Sequence, residues 1–274
     1  HISFFFKALK AGETKLVIDK IANKITKNFL DYKITVKKNK KQLAAAASRR
    51  RQIKKEAQKE RAGYELIRKL YQDEQYETAL KHIRQYKKNN PTGPYLTPNT
   101  MIEAAILTNR GQPEKAVSLL SNLLTAAGKK KNPAGRSKTM FSLAKIYLQA
   151  GDTNRGLDIL YRLEADYHGT PLYSKALLKL ADTLYAGQKY RQAQKYYFAF
   201  YKLYTDKENN FETEGFDRAV WRIARIYEIA ADITDMSRAY QWYTLLPDIC
   251  PFSSYVEQAR RKAEYIDRHF LNIR

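Results

Sequence analysis

The sequence predicts an all-α protein: a solenoid of about five helix pairs, preceded by a basic helical extension and closed by a C-terminal helix. Three observations carry the prediction. Small residues recur at Ala79, Ala116, Gly156, Ala193 and Ala239, at spacings of 37, 40, 37 and 46. Each is followed by apolar residues four and seven positions on: Ile83 and Tyr86, Leu120 and Leu123, Leu160 and Leu163, Tyr197 and Phe200, Tyr243 and Leu246. A second pattern precedes three of them, a large residue, a small one and a large one three further on: Leu143-Ala144 with Tyr147, Leu180-Ala181 with Leu184, and Ile223-Ala224 with Tyr227. In addition, Gly111 and Gly151 stand five residues ahead of Ala116 and Gly156, where two helices turn. A small residue at a helix crossing lets the backbones approach while larger side chains fill the flanks, and recurrence at such a period indicates stacked helix pairs.

Residues 1–61 stand apart from the repeats and read as a basic N-terminal extension. Lys15 to Leu30 places Val17, Ile21, Ile25 and Phe29 on one helical stripe. Asp31 to Val36 reads as a short strand or a loop. The chain begins at His1 rather than Met, which leaves room for a signal peptide, membrane anchor or further domain ahead of it. HISFFFKAL reads as the tail of such a segment or as a buried first helix. Gln42 to Tyr71 reads as one long helix, with no Pro and no Gly before Gly63. Its first half has few apolar residues, so it is an exposed arm or lies on an acidic partner.

The charge is concentrated at this end. The 274 residues carry 50 Lys and Arg against 28 Asp and Glu, a formal +22. Residues 1–61 hold 18 basic and 5 acidic residues, or +13, which leaves +9 for the rest. Lys37, Lys38, Lys40, Lys41, Arg49, Arg50, Arg51, Lys54 and Lys55 form the candidate electrostatic arm. Such a field favours an anionic membrane surface, an acidic protein or nucleic acid. Nucleic acid is the weaker reading, because no exposed aromatics interleave with these residues to stack on bases.

Residues 62–250 hold the repeats, and three joints absorb their extra length: AAGKKKNPAGRSK, TDKENNFETEGF and ADITDM. The aromatic run Tyr196-Tyr197-Phe198, with Phe200, Tyr201 and Tyr204, covers more than one helix face and is expected to pack against TDKENNFETEGF. Residues 251–274 read as a capping helix with Ser253 or Ser254 as its N-cap.

These features resemble the tetratricopeptide repeat family, whose marks are W-x2-L-G-x2-Y on the first helix of a pair and A-x3-F-x2-A, then Pro, on the second. The resemblance covers about residues 62–250 and is closest in the first repeat, where Ala79, Ile83, Tyr86 and Pro91 match the second-helix pattern. The periods exceed the family's, which is about 34 residues, and only Trp221 stands for the family's first Trp. The resemblance implies a right-handed superhelical solenoid whose first helices line a partner-binding groove. Carried across by position, the groove residues are Tyr64, Arg68 and Tyr71 in the first repeat. They are Phe141, Lys145 and Leu148 in the third, Leu178, Asp182 and Tyr185 in the fourth, and Trp221 and Arg225 in the fifth. The long-period style, with joints such as HGTPLYSKALLKLA and CPFSSYVEQARRKAEYI, is similar to tetratricopeptide proteins of the bacterial envelope. That likeness implies the periplasm or cell envelope, with the cytoplasm as the alternative.

No catalytic, cofactor-binding or metal-binding constellation emerges. His1, His82, His168 and His269 have no metal-like spacing to each other or to Cys250. His82 reads as a surface or partly packed residue, and Cys250 as a small packed one. Asp73-Glu74 and Glu212 with Glu214 read as turn and loop carboxylates. Phosphate-loop, dinucleotide, nucleophile-elbow and zinc-protease motifs are missing, as is any run of apolar residues long enough to span a membrane as a helix. The expected function is a non-enzymatic scaffold or adaptor that binds protein partners in a larger assembly, with no cofactor and no small-molecule substrate. A bacterial envelope complex, such as a flagellar-motor collar, is the expected setting. The alternative is a nucleic-acid-associated adaptor that grips phosphates through residues 37–61.

Overall fold

The structure, a computed structural model, describes residues 13–15, 33–35, 40–129, 133–205 and 214–271. The chain divides into two compact units, His1–Glu65 and Leu66–Arg274.

In the first unit β1 (Glu13–Lys15) pairs antiparallel with β2 (Lys33–Thr35), Thr14 opposite Ile34. The stretch DYKITV thus contributes a strand. The expected stripe over Val17, Ile21, Ile25 and Phe29 lies outside the described residues, as do Lys37 and Lys38. The helix α1 (Lys40–Gln72) is continuous, and every residue from Ala44 to Lys59 is exposed. Ala, Arg, Lys, Gln and Glu are strong helix formers, so propensity supports this stretch without packing. Gln52 adds a hydrogen bond to Glu56 one turn on, at 3.2 Å.

The second unit is helical throughout its described residues. It runs α2 (Tyr76–Asn89), α3 (Leu96–Asn109), α4 (Pro113–Lys129), α5 (Pro133–Gln149), α6 (Thr153–Asp166), α7 (Pro171–Ala186), α8 (Tyr190–Thr205), α9 (Phe216–Ile229), α10 (Met236–Ile249) and α11 (Val256–Ile266), then a π-helical turn, Asp267–Leu271. The recurrent small residues Ala79, Ala116, Gly156, Ala193 and Ala239 fall on α2, α4, α6, α8 and α10, the second helices, and all five are buried. The third takes Gly rather than Ala because a methyl there would meet the Leu148 side chain at 2.6 Å and the Ala144 carbonyl at 3.3 Å.

One turn device joins the two helices in four of the pairs. At the end of α1, α3, α5 and α7 a residue enters the left-handed region: Glu74, Gly111, Gly151 and Gln188, at φ of 57°, 71°, 82° and 57°. The following N–H then reaches back five residues to a helix carbonyl: Gln75 to Leu70, Gln112 to Leu107, Asp152 to Tyr147, Lys189 to Leu184. This closes the orphan carbonyls of the helix end in a Schellman motif. The next helix starts at once. Asp152 caps α6 by accepting from the Arg155 N–H, and Asp235 caps α10 through the Arg238 N–H.

The core is continuous along the third to fifth repeats. There Leu160, Leu177, Leu180, Tyr197, Ile223 and Tyr243 are all but fully buried, and a separate cluster joins Ile67 and Leu70 of α1 to Ala79, Leu80 and Ile83 of α2 and Ile106 of α3. The helix α11 buries Val256, Ala259, Ala263 and Ile266 against this core. It carries Gln258 and Lys262 where α9 has buried Ala219 and Ile223, and both line a cleft with Trp221 and Arg225 of α9.

Two expectations change and a third is met in part. Most of AAGKKKNPAGRSK is helix rather than loop: α4 continues to Lys129 and α5 starts at Pro133, a residue suited to the first helical turn. Neither Ser253 nor Ser254 is the N-cap of α11, which is Tyr255. Ser253 instead accepts from the Tyr255 N–H at 3.2 Å and donates to Asp217 at 2.7 Å, tying the turn to α9. The aromatic run on α8 packs on three helices, α6 of the third repeat and α9 and α10 of the fifth. Tyr196 meets Tyr161, Phe198 and Tyr201 meet Trp242, and Tyr201 and Tyr204 stack on Phe216, the last residue of TDKENNFETEGF. Residues 206–213 of that stretch lie outside the described residues.

Candidate partner-binding face

On the first helices α3, α5, α7 and α9, side chains three residues before and one after the central small residue line three clefts, and α11 contributes Arg261, Lys262 and Tyr265 to the third. The smallest, about 90 Å³, lies among Tyr71, Met101, Ala105, Ser142 and Lys145. The next, about 280 Å³, has Phe141, Leu178 and Phe200 as its apolar lining and Lys145, Lys175, Lys179 and Arg218 around them. The third, about 660 Å³, lies between α9 and α11 among Trp221, Arg225, Arg261, Lys262 and Tyr265.

The floor of this face holds two carboxylates in matched settings. Asp182 accepts from the Tyr197 hydroxyl at 2.7 Å and pairs with Arg218 at 3.0 Å. Glu228 accepts from Tyr243 and is paired with Arg225 at 2.7 Å and with Lys262. Burial raises the Glu228 carboxyl, but hydrogen bonds from Lys262 and Tyr243 and the charge of Arg225 outweigh it and hold the group below the ordinary carboxylate range. Burial, and then the neighbouring carboxylate, pushes both phenols far above the ordinary tyrosine range. In both pairs the protonated phenol is the donor and the carboxylate the acceptor.

The aromatic rings of the face are largely engaged. Arg222 sits over Tyr185 with its guanidinium carbon 4.0 Å from the ring centroid, and Tyr190 packs on the same ring at 5.3 Å. Trp221 stacks on Tyr255 at 5.3 Å with 14° between planes, and meets Tyr243 at 5.2 Å.

No family model matches the chain, and no curated protein matches it in sequence. Solved structures do match. Two crystal structures of the nearly identical TPR-like repeats of a putative kinesin light chain from Podosopora anserina superpose with TM-scores of 0.53 and 0.52. They are 17% and 18% identical, cover 73% and 76% of this chain, and are themselves covered to 96%. A tetratricopeptide repeat protein from Parabacteroides merdae ATCC 43184 gives 0.51 at 15% identity, over 74% of this chain and 73% of that one. The fold is that of the tetratricopeptide repeat. At these identities the likeness is one of fold.

Within this tetratricopeptide fold, the residues named from sequence fall as follows. Phe141, Lys145, Leu178 and Asp182 come together at one cleft, Trp221 and Arg225 at another, and Tyr71 at the smallest. Tyr185 lies between, under Arg222. Leu148 is half-buried against Gly156. Tyr64, on α1, belongs to the N-terminal unit and is half-buried; Arg68, further along α1, is exposed. On the arm, Arg49, Arg50, Arg51, Lys54 and Lys55 are exposed, and Lys40 and Lys41 open α1.

Sequence reasoning missed Lys175 and Lys179 on α7, Arg218 and Arg222 on α9, and Arg261 on α11. A signal was present: counted back from Ala181, Ala224 and Ala263, these stand at positions two and six. It also assigned nothing to the second repeat, where Met101 and Ala105 line a cleft.

Other candidate chemistry resolves to structure. Cys250 is half-buried and its thiol is pushed up by burial, which lowers its thiolate content. His82 is exposed, and His168 lies 4.5 Å from the Tyr173 ring. Among the described residues no three His, Cys, Asp or Glu side chains are placed to hold a metal ion, and no helix is long and apolar enough to cross a membrane.

Proposed function

We propose that this chain is a non-enzymatic scaffold that binds protein partners along the face built by α5, α7, α9 and α11. The observation that carries the reading is the cleft among Phe141, Leu178 and Phe200, an apolar floor edged by cations on three neighbouring first helices. Apolar anchors with charged groups around them suit recognition of a protein segment, and solenoids use extended surfaces of this kind. The decisive test is site-specific photocrosslinking in cells, with benzoylphenylalanine in place of Lys179 and, as a control, of Arg162 on α6. The scaffold reading expects protein adducts from Lys179 and few from Arg162. Equal yields at both sites, or none at Lys179, overturn it.

Within that reading we place the scaffold in a bacterial envelope assembly, a flagellar-motor collar among the candidates, with the basic arm on an anionic surface or an acidic subunit. The resemblance of the long repeats supports the setting, and the exposed basic row from Arg49 to Lys55 supports the arm's role. Recovery of cytoplasmic factors alone from envelope extracts contradicts the setting. The same row favours a second reading, phosphate contact with nucleic acid, which requires binding that falls steeply with salt and is lost with residues 37–61.

A further inference from the structure

We infer that an electrostatic latch between α2 and α3, the ion pair of Lys87 with Glu103, lets the first helix pair open as a unit while the later helices stay packed. Register is the first observation. Aligned on Ala104, Ala144, Ala181 and Ala224, the later first helices carry Leu143, Leu180 and Ile223 one residue before the small one, all buried in the apolar cores. The second repeat has Glu103 there, partly buried and paired with Lys87 near the end of α2. Five residues before the small one, the later helices bury Thr139, Ala176 and Ala219, and the second repeat buries Asn99. The Thr139 hydroxyl donates to the Gly135 carbonyl of its own helix at 2.8 Å. Neither polar atom of the Asn99 side chain has a hydrogen-bond partner among the described residues. An unbonded amide in the interior raises the free energy of the closed state, and hydration on opening relieves it.

The rest of this junction is polar as well. Arg110 pairs with Glu77 at 2.8 Å, and Asn109 Nδ2 donates to the Tyr76 hydroxyl at 3.2 Å. In the joint itself the Tyr95 N–H donates to the Tyr86 hydroxyl at 3.1 Å. Among the described residues of α3, Ile106 is fully buried in the core cluster of the first pair, with Ile102 partly buried against it. Ala104 belongs instead to the next cluster, with Ala116, Leu120, Leu143 and Ile146. Water competes for charged and hydroxyl groups at a partly exposed surface, so such links return little net free energy. The apolar burial at the later junctions has no such competitor.

A latch is a narrower device than the fraying common to the ends of a repeat stack. Fraying follows from position alone. A latch requires that opening respond to Glu103, because removing its charge leaves the Lys87 ammonium partly buried beside a neutral group.

The test is native-state hydrogen exchange of the full chain, read by mass spectrometry. The amides of α2 should exchange together, about tenfold or more faster than those of α6 to α9. Glu103→Gln should speed α2 by about a further tenfold and leave α6 to α9 unchanged. Asn99→Ala, which installs the residue of the later repeats, should slow α2. Added salt should speed α2 in the parent, and not in the double variant Lys87→Met with Glu103→Leu, whose junction is apolar. Exchange of α2 as slow as that of α6 to α9 overturns the inference. Fast exchange indifferent to Glu103→Gln overturns it in favour of simple fraying. Equal acceleration of every helix by Glu103→Gln also overturns it, since the pair would then support the whole fold and not one seam.

Discussion

The hydroxyl of Tyr197 donates to Asp182 at 2.7 Å, linking the second helix of a pair to the first across 15 residues of chain. Tyr243 and Glu228 repeat the link one pair later at the same separation. Both tyrosines stand four residues after the small residue of the crossing, so each crossing point is braced by a ring beneath and a hydrogen bond at its tip. The repeat therefore builds the floor of the partner-binding face with the residues that build its core. Removing a hydroxyl while keeping the ring isolates the bond. Tyr197→Phe leaves one Asp182 oxygen without its donor and should cost about 1–2 kcal/mol in urea unfolding, with Tyr243→Phe similar. Unchanged midpoints for both variants would show that water replaces the bond freely.

Acid should loosen the second of these sites. Glu228 is held below its ordinary value of 4.5, so it binds a proton less readily folded than unfolded. Its contribution is present in full above the unfolded carboxylate range, and is lost as pH falls from there through its depressed folded value. Stability measured against pH should be flat in this respect near neutrality and decline below about pH 4.5. Glu228→Gln should lower stability at neutral pH and flatten that acid limb. A variant whose acid limb matches the parent's would remove Glu228 as its source.

The four left-handed turns are not equally comfortable. Gly111 and Gly151 adopt that conformation at no steric cost, whereas Glu74 and Gln188, both exposed, do so with a side chain attached. Glu74→Gly and Gln188→Gly should each stabilise by about 0.5–1 kcal/mol, net of the extra chain entropy of glycine. Gly111→Ala and Gly151→Ala should destabilise by about 1 kcal/mol. Thermal melts of the four single variants read the sign directly.

Gly156 and Leu148 should be coupled. A methyl at position 156 falls 2.6–2.7 Å from two carbons of Leu148, so the leucine must leave its rotamer. Gly156→Ala should cost about 1 kcal/mol despite the better helix propensity of alanine. In the background Leu148→Ala the same substitution should be neutral or stabilising. A double-mutant cycle in denaturant gives the interaction energy, and a value near zero contradicts the steric account.

The second helices were legible because their pattern is simple: a buried small residue, then buried apolar residues four and seven on, with polar residues between. The first helix of the second repeat was not. The helix α3 reads LTPNTMIEAAILTN, with a Pro near its start and Asn99 and Thr100 buried in the core, so its polar and apolar residues do not separate into two faces. AAGKKKNPAGRSK looked like a loop because Gly, Lys and Pro cluster there. The Pro instead opens α5, where its missing N–H costs nothing. Ser253 looked like a cap because of its residue type, but its hydroxyl found Asp217 on another helix. Of the groove positions carried from the repeat pattern, Tyr71, Phe141, Lys145, Leu178, Asp182, Trp221 and Arg225 line the clefts, while Tyr64, Arg68, Leu148 and Tyr185 do not, and the cations at the neighbouring positions went unnamed, since a surface lysine looks the same on any face.

What the sequence determined by itself is the repeat: the order of the helices, the small residues at their crossings and the turns between them. These are set by short-range patterning and local backbone preference, which act within one helix pair. Only the tertiary structure decided which charges face one another. Asp182 is neutralised by Arg218, 36 residues on, and Glu228 by Lys262, 34 residues on, while Lys145 and Lys179 are left beside an apolar floor. That outcome depends on how neighbouring first helices stack side by side, and electrostatic partners at such separations are chosen by distance in space, not by spacing along the chain.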